Sequence, residues 1–599
     1  MKQAFLIKLI LLSISILIFF QISTNAQSFT GNGSDGNLLI PAGETFFVDN
    51  IKAAVDGDNP AGSAFINVVD ASGFAVGQEI LIISMQDAFF TYDNNVVGIY
   101  EFKTISSING NTLNLSQPLE NSFNANYLTK HQVIRVPNYI NVTIWGTMTC
   151  SNWNGTNGGI LAFRANGAVT VGTAGTIDAS GKGYRGGTQY GNSHGGGQGG
   201  ESYFGIGGKG GNYSDNGGMT RGSGGGGGCY SSGTGNDGLA GGGGGSSTGT
   251  VALGSPRGGA GGGGSGHAGS GGGAGYGTFG YGGNGYNNVA GQNGGENLSG
   301  NGGSGNVTGT GGGGGGTYGT AELTKLLLGS GGGRAGVHSG YVPGIGGNGG
   351  GIMLIYCSNL VNSGNIKNKG ENGGNGGTYS GGGGAGAGGS LLINTINLTN
   401  IGNITVNGGI GGNAHYGGTG GAGGAGRMRI DYGNLVNEGT ITPNPYSTTN
   451  NFGVATSVIS NTNNTTEPYE LEALAISQTH AAITSAQVFY SINGAAFTSS
   501  NLTLDEVNDY IYIFSGAIPA QNINSVVNWY VRASDGTNYY YSPTNAPAKY
   551  FTFSVIPNPP QNLTATAASD AVIDLSWGAP SDPTNFVNYK LYRSLNANF

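Results

Sequence analysis

The sequence predicts a mainly β chain: a parallel β-solenoid with a large glycine-rich insertion, a small amino-terminal β-domain and carboxy-terminal β-sandwich modules. Three observations point there. Short strands recur around a Gly-x-Ile core, and Ile366, Ile404 and Ile441 of that core stand 38 and 37 residues apart. The stretch 181–350 holds 76 glycines in 170 residues, against a usual share of about 7%. After Asn450 the glycine runs stop, and apolar-alternating segments bounded by turns such as Asn493-Gly494 and Asp535-Gly536 take over.

In chain order, Met1–Ala26 reads as a secretory signal: Lys2 and Lys8 open it, Leu9–Phe20 is a 12-residue apolar run, and Ala26 precedes a cleavage point at Gln27. That run is short for a membrane span, and no later segment is apolar for long enough, so the mature chain is expected to lack a transmembrane segment. Residues 27–135 predict a small β-rich domain, with strands at Ala64–Val69, Glu79–Ser84 and Tyr100–Ile105 and a hairpin turn at Asn109-Gly110. Residues 136–450 carry the solenoid repeat. Its cores include Ile144-Trp-Gly-Thr-Met148, Val169–Ile177, Leu360–Ile366, Leu398–Ile404 and Leu435–Ile441. Most follow a second strand, as in Ile160–Phe163, Ile352–Ile355, Leu391–Ile393 and Met428–Ile430. One coil cannot bury its apolar face alone, so coils must stack. Glycine segments 181–350, 370–389 and 408–426 each follow the same strand, which would set them side by side. Residues 467–555 predict an immunoglobulin-like sandwich centred on Trp529 and Val531. Residues 557–599 open a further module of 43 residues, where a sandwich needs about 100; the module is expected to be incomplete, with a carboxy-terminal anchoring or secretion signal missing.

The glycine stretch has two readings. One is a flexible linker. The other is a bundle of extended glycine helices with three residues per turn, whose backbones lie close because no Cβ intervenes. The apolar turn Leu323–Leu328 favours the second, as does the length of the stretch. The runs Gly224–Gly228, Gly241–Gly245 and Gly311–Gly333 resemble the polyglycine-II domains of phage tail-tip adhesins and of some animal receptor kinases. The solenoid opening, Val136 through Gly187, resembles a segment of large secreted bacterial surface proteins. The module around Trp529 is similar to spacers of secreted Bacteroidetes-type proteins, and Leu575-Ser-Trp577 with Tyr589–Arg593 looks like early fibronectin type III strands. These resemblances imply an adhesin-like architecture and no particular activity.

Charged residues make up 9% of the chain and the formal net charge is −8. With no basic cluster for phosphates, nucleic acid is not an expected partner. A surface of Asn, Ser, Thr, Gly and Tyr suits glycans or surface proteins, and equally an inert spacer. Cys150, Cys229 and Cys357 are isolated, with no spacing for zinc or redox chemistry, and are expected as small buried side chains, with a single bridge as the alternative. Asp56-Gly-Asp58-Asn59 lacks the bidentate Glu of a calcium loop and reads as a solvated turn. No metal or cofactor is expected. Neither a Gly-x-Ser-x-Gly elbow in its strand–helix context nor a His-Glu-x-x-His motif occurs. The nearest charged constellation is Arg164, Asp178, Lys182 and Arg185, read as an Arg164–Asp178 ion pair, and no catalytic residue is assigned. The candidate ligand-binding residues are Tyr276, Phe279, Tyr281 and Tyr286, set between glycines. They are either plugs between glycine helices or platforms for sugar rings and receptor loops. The function expected is a secreted, non-enzymatic adhesin. A polysaccharide-acting solenoid enzyme and a structural matrix component are the alternatives.

Overall fold

The computed structural model describes residues 30–578, apart from 88–95, 127–128, 190–194, 212–224, 230–233, 256–257, 267, 286–288, 305–308, 339, 416–417, 449–453, 457–458, 460, 477–481, 509–510, 544–545, 549, 558–560 and 570–571. Its regular elements are all strands, in two compact units, 29–450 and 451–599. The expected signal at 1–26 and the strand at Tyr589–Arg593 lie outside the described residues.

Unit 29–450 is built on two parallel sheets. The first orders Leu38–Ile40, Val142–Ile144, Ile160–Val171, Ile352–Asn362, Ser390–Asn400, Arg427–Asn437 and Tyr446–Thr448. The second orders Thr45–Phe47, Thr147–Thr149, Thr176–Asp178, Asn365–Lys367, Asn403–Thr405 and Thr440–Thr442. The chain adds one strand to each sheet per turn, so it climbs as a solenoid, by about 4.8 Å per coil. Register is strict. Val142, Val169, Leu360, Leu398 and Leu435 form one column, and Phe46, Met148, Ile177, Ile366, Ile404 and Ile441 another. The inward members of these columns make a continuous core in which Val142, Val169, Leu360, Met148, Ile177, Ile366 and Ile404 are fully buried. Asparagines at the corners stack from coil to coil. Asn362 donates to Asn400 and Asn400 to Asn437, both at 2.7 Å, so the ladder links successive coils without interrupting the columns.

The solenoid begins earlier than position 136. Leu38–Ile40 pairs with Val142–Ile144 and Thr45–Phe47 with Thr147–Thr149, so residues expected in a separate amino-terminal domain form the first coil. An insertion separates that coil from the second. Lys52–Ala54, Thr129–Arg135, Glu79–Asp87, Tyr100–Asn109, Thr112–Leu115 and Phe65–Asn67 pair antiparallel in that order. An antiparallel bridge between Val55 and Val68 closes the six strands into a small barrel around Ile66, Ile80, Ile82, Leu113 and Phe123. In the turn expected to be solvated, Asn59 is fully buried, donating to the carbonyls of Asp56 and Phe123 and accepting from the N–H of Asn67.

Every insertion leaves the same corner, between a strand of the second sheet and the next long strand of the first. The barrel leaves there, as do residues 179–351, 368–389 and 406–426. The last three carry the glycine segments, and their backbones are cross-bonded. Gly347 donates its N–H to Gly384, Gly384 to Gly333, Gly333 to Gly272, Gly272 to Gly262, Gly262 to Gly313 and Gly313 to Gly243, at 2.8–2.9 Å throughout. Gly421 donates to Gly271 and Gly412 to Gly383, which joins the third segment to the other two. Gly311–Gly316 are all buried. A Cβ on Gly313 would lie 2.1 Å from the Gly300 oxygen, and one on Gly384 1.9 Å from that of Gly272, closer than any side chain tolerates. Buried N–H and C=O groups are therefore paired with neighbouring segments, in a block with almost no side chains.

A belt of large side chains separates this block from the coils. The long strands bury both faces in their first halves, which explains continuous runs such as Ile352-Met-Leu-Ile355. On their outer face Ile160, Ile352, Leu354 and Leu392 pack with Leu326, Leu328, Trp153, Tyr184, Tyr276 and Tyr318, and with Leu81 and Ile83 of the barrel. Leu323–Leu328 thus anchors the glycine block to the solenoid. Cys150 and Cys357 are buried in the solenoid core without a disulfide, and Cys229 is buried in the glycine block; burial pushes the Cys357 thiol up to about 12.

In unit 451–599, Val454–Thr456, Tyr469–Ile476, Ile511–Ile518 and Thr503–Asn508 form one antiparallel sheet. Thr498–Asn501, Ser485–Ile492, Val526–Ser534 and Tyr539–Ser542 form a second, which Phe551–Ser554 joins through Val526–Ser534. They share a core centred on Trp529 and Val531, both fully buried. Asn493 and Gly494 both take positive φ, as a tight hairpin turn requires. Gln561–Ser569 and Val572–Gly578 pair as a hairpin.

Candidate functional site

At the corner where the glycine block meets the coils lies a cavity of about 550 Å³. The loop after the second coil supplies Asn152 and Trp153; the first glycine segment supplies Arg185, Thr188, Gln189, Gln198, Glu201 and Ile206; Asn348 closes it near that segment's end. Glycines 181, 183, 186, 199 and 207 form much of the remaining wall; all but Gly181 are buried. The floor is Glu201, 2% exposed. Its carboxylate accepts from Arg185 Nε at 2.8 Å and from the Arg185 backbone N–H at 2.9 Å, from Gln86 Nε2 at 2.8 Å and from Trp153 Nε1 at 3.3 Å. Both oxygens are engaged, and the pair neutralises the floor.

The amides above it are set by backbone. Gln198 Oε1 accepts the N–H of Thr188 and of Gln189, both at 3.0 Å, and Asn348 Oδ1 accepts the N–H of Gly186 at 2.9 Å. Asn152 Oδ1 accepts from Lys182 Nζ at 2.7 Å. Their oxygens turned to the protein, Asn152 and Asn348 offer NH2 donors to the cavity. Ile206, 54% exposed, forms an apolar lip. Such a lining suits an uncharged ligand rich in acceptor oxygens. Glycoside hydrolysis generally needs two carboxyl groups across the scissile bond. Among the described residues the lining holds one, Glu201, with its lone pairs committed; Glu371 lies behind Asn348, accepting its backbone N–H.

The four aromatic candidates separate. Tyr276 is fully buried, which fits a plug and not a ligand platform, the two roles left open for it. Its ring stacks on Tyr318 at 4.5 Å and its hydroxyl pairs with Ser390 Oγ at 2.7 Å. Burial pushes its phenol up to about 12, and burial also raises the phenols of Tyr184 and Tyr318, so all three stay protonated donors inside the belt. Phe279 is half-buried and Tyr281 is 48% exposed; they meet edge-on at 5.4 Å, away from the cavity lining. Tyr286 lies outside the described residues.

The charged constellation is also rearranged. Arg164 pairs with Glu79 of the barrel at 2.8 Å instead of with Asp178, and its guanidinium sits 4.5 Å from the centroids of Phe102 and Tyr356. It is a clamp between barrel and solenoid. Asp178 pairs with Lys367 one coil later, at 3.2 Å on the surface. Only Arg185 of the original four lines the cavity. Glu201, Gln198 and Asn348 had no motif to announce them; the one available signal was an isolated acidic residue inside an almost uncharged glycine run. No cluster able to hold a metal ion occurs among the described residues.

No protein-family model and no curated protein matches the chain. Among solved structures it is similar to the tailspike of Acinetobacter baumannii bacteriophage AP22, determined in complex with A. baumannii capsular saccharide, at 10% identity and a TM-score of 0.14 over 85% of this chain and 88% of that one. It is also similar to the tailspike protein of Pseudomonas phage LKA1, at 9% identity and a TM-score of 0.14 over 84% and 89%. Likeness at that level carries no argument about binding, and the mainly β, solenoid-like architecture rests on the chain's own parallel sheets.

Proposed function

We propose that this is a secreted, non-enzymatic surface protein of adhesin type that binds neutral glycans at the junction of its glycine block and solenoid. The cavity carries this reading: its side chains offer amide donors, an apolar lip and a neutralised floor, which is the surface a sugar presents in complement. Interlocked backbones and glycines with no room for a Cβ support a polyglycine-II-type block, which makes the cavity wall rigid enough to be preorganised. The amino-terminal run Leu9–Phe20 supports export. The two-sheet unit around Trp529 supports an immunoglobulin-like spacer, followed by a fibronectin-type module.

The test is a glycan array probed with the purified chain, with reducing-end release assayed alongside. Uncharged glycans are expected to bind without being cleaved, and Gln189→Ala with Asn348→Ala to weaken them roughly tenfold, about 1.4 kcal/mol. Binding to no glycan would leave a structural matrix role instead. Release of sugar that Glu201→Gln abolishes would make the protein an enzyme.

A further inference from the structure

Asn348 belongs to more than the cavity. It ends a row in which every third side chain points out: Val342 is 72% exposed and Ile345 49% exposed, with residues 343, 344, 346 and 347 buried between them. That period is the one expected of an extended helix with three residues per turn. A second row runs antiparallel beside it, since Gly374 donates to the Ile345 carbonyl and Gly377 to that of Val342, both at 2.8 Å. A third lies next to the second, where the N–H groups of Ile410 and Asn413 bond Asn372 Oδ1 and Asn375 Oδ1 at 2.8 and 2.9 Å. Those bonds leave the side-chain NH2 groups of Asn372 and Asn375 facing solvent, and Ile410 beside them is 72% exposed. Apart from Lys369 and Glu371 at the Asn348 end, the outward residues of these rows mix aliphatic and amide groups and carry no charge. At the end opposite Asn348 three rings converge: Tyr341 and Tyr379 lie 5.1 Å apart, with His338 at 5.9 and 5.8 Å from them. Tyr341 is 36% and Tyr379 40% exposed, in a block whose other large rings are mostly buried in the belt.

From the continuity of these features we infer that the ligand is an extended neutral oligosaccharide, running from the Asn348 cavity along the Val342–Ile345 row to a second subsite at Tyr341 and Tyr379. From position 342 to 348 the row spans roughly 20 Å at about 3.1 Å per residue, longer than one sugar ring. Pyranose rings present CH-rich faces and hydroxyl edges; the tyrosines and aliphatic side chains meet the first and the asparagine amides the second. The two charges on this face, Lys369 and Glu371, are of opposite sign and confined to the Asn348 end, so a polysaccharide charged at every repeat finds no row of counter-ions along it. An apolar peptide would leave the amide donors unpaired, at a cost of about 1–3 kcal/mol for each one buried.

The inference rests on the glycan-binding reading and is tested so that the two can fail separately. Neutral gluco-, manno- and xylo-oligosaccharides of graded length are titrated into the purified full chain and into Tyr341→Ala/Tyr379→Ala. Affinity of the unaltered chain should rise with length. In the variant that rise should stop short, leaving the longest sugars bound roughly tenfold more weakly than by the unaltered chain. A length dependence that is flat in the unaltered chain, or one the variant does not change, overturns the track while the cavity stands. Equal weakening at every length overturns it too, because the rings would then act on the cavity alone. Absence of binding at every length overturns both proposals.

Discussion

The solenoid and the glycine block are neighbours in one unit that solve the same problem with opposite materials. In the solenoid, columns such as Met148, Ile177, Ile366 and Ile404 remove apolar side chains from water, and the backbone pairs incidentally as parallel sheet. In the glycine block there is little apolar area to bury, and what is satisfied is the backbone itself, through bonds such as Gly262 to Gly313 and Gly313 to Gly243. The solenoid is specified by which side chains are present; the block is specified by which are absent. A solenoid core residue can therefore be trimmed at a graded cost. An inner glycine cannot be enlarged at all, while outward positions such as Val342 and Ile410 remain open to any side chain. That freedom is what allows a side-chain-poor block to carry a binding face.

The largest effect should come from breaking the second rule. Gly313→Val with Gly314→Val would place Cβ atoms 2.1 Å from the Gly300 and Gly280 oxygens. Overpacking ordinarily costs about 1–3 kcal/mol per site because neighbours shift; here every neighbour is backbone, and collapse of the whole block is expected. Limited proteolysis should then cut within 240–345 while the coils resist. Cleavage no faster than in the unaltered chain would mean the block is not close-packed.

Next in size is the Arg164 clamp. Glu79→Ala strands a buried guanidinium and should cost about 3–5 kcal/mol in chemical denaturation. Asp178→Asn, at a surface pair whose side chains are 27% and 34% exposed, should cost less than about 1 kcal/mol. Equal effects would refute the assignment of Arg164 to Glu79. Within the solenoid, Ile366→Ala should cost about 2–5 kcal/mol without collapse of the adjacent coils, the graded response that the block lacks.

A smaller, pH-dependent effect belongs to the barrel. Burial holds the His131 imidazole down to about 4. A histidine whose folded pKa lies below its unfolded value of about 6.5 binds fewer protons folded than unfolded. Its contribution is full above about pH 6.5 and is lost as pH falls toward 4, on the order of 3 kcal/mol. His131→Gln should flatten that acid limb in urea titrations between about pH 4 and 7; an unchanged limb would assign the loss to other groups.

Much of the coil pattern was legible because it is periodic. Ile352–Ile355, Leu391–Ile393 and the Gly-x-Ile cores lie within strands at the expected positions. The first coil was not, because its strands are three residues each and the barrel separates them from their partners. The partner of Arg164 was hidden for the same reason, since Glu79 stands 85 positions away in an insertion with its own strand pattern. The cavity could not be read at all. It joins Asn152, Glu201 and Asn348 through a fold of the glycine segment, and glycines carry no pattern from which to infer which segments touch. The sequence could not choose between plug and platform for Tyr276, because glycine neighbours give no burial pattern; the belt at the base of the block settles it with a ring stacked beside Tyr318.

Hydrogen exchange on the full chain is the sharpest test of a block held by its own backbone. If it is so held, the amides of 241–246, 259–264, 311–316 and 331–336 should be protected to the level of the long strand Ile352–Asn362, in spite of a composition that otherwise signifies a linker. Exchange of those amides at random-coil rates, with the strand still protected, would contradict the close-packed block and remove the rigid surface on which both proposed subsites depend.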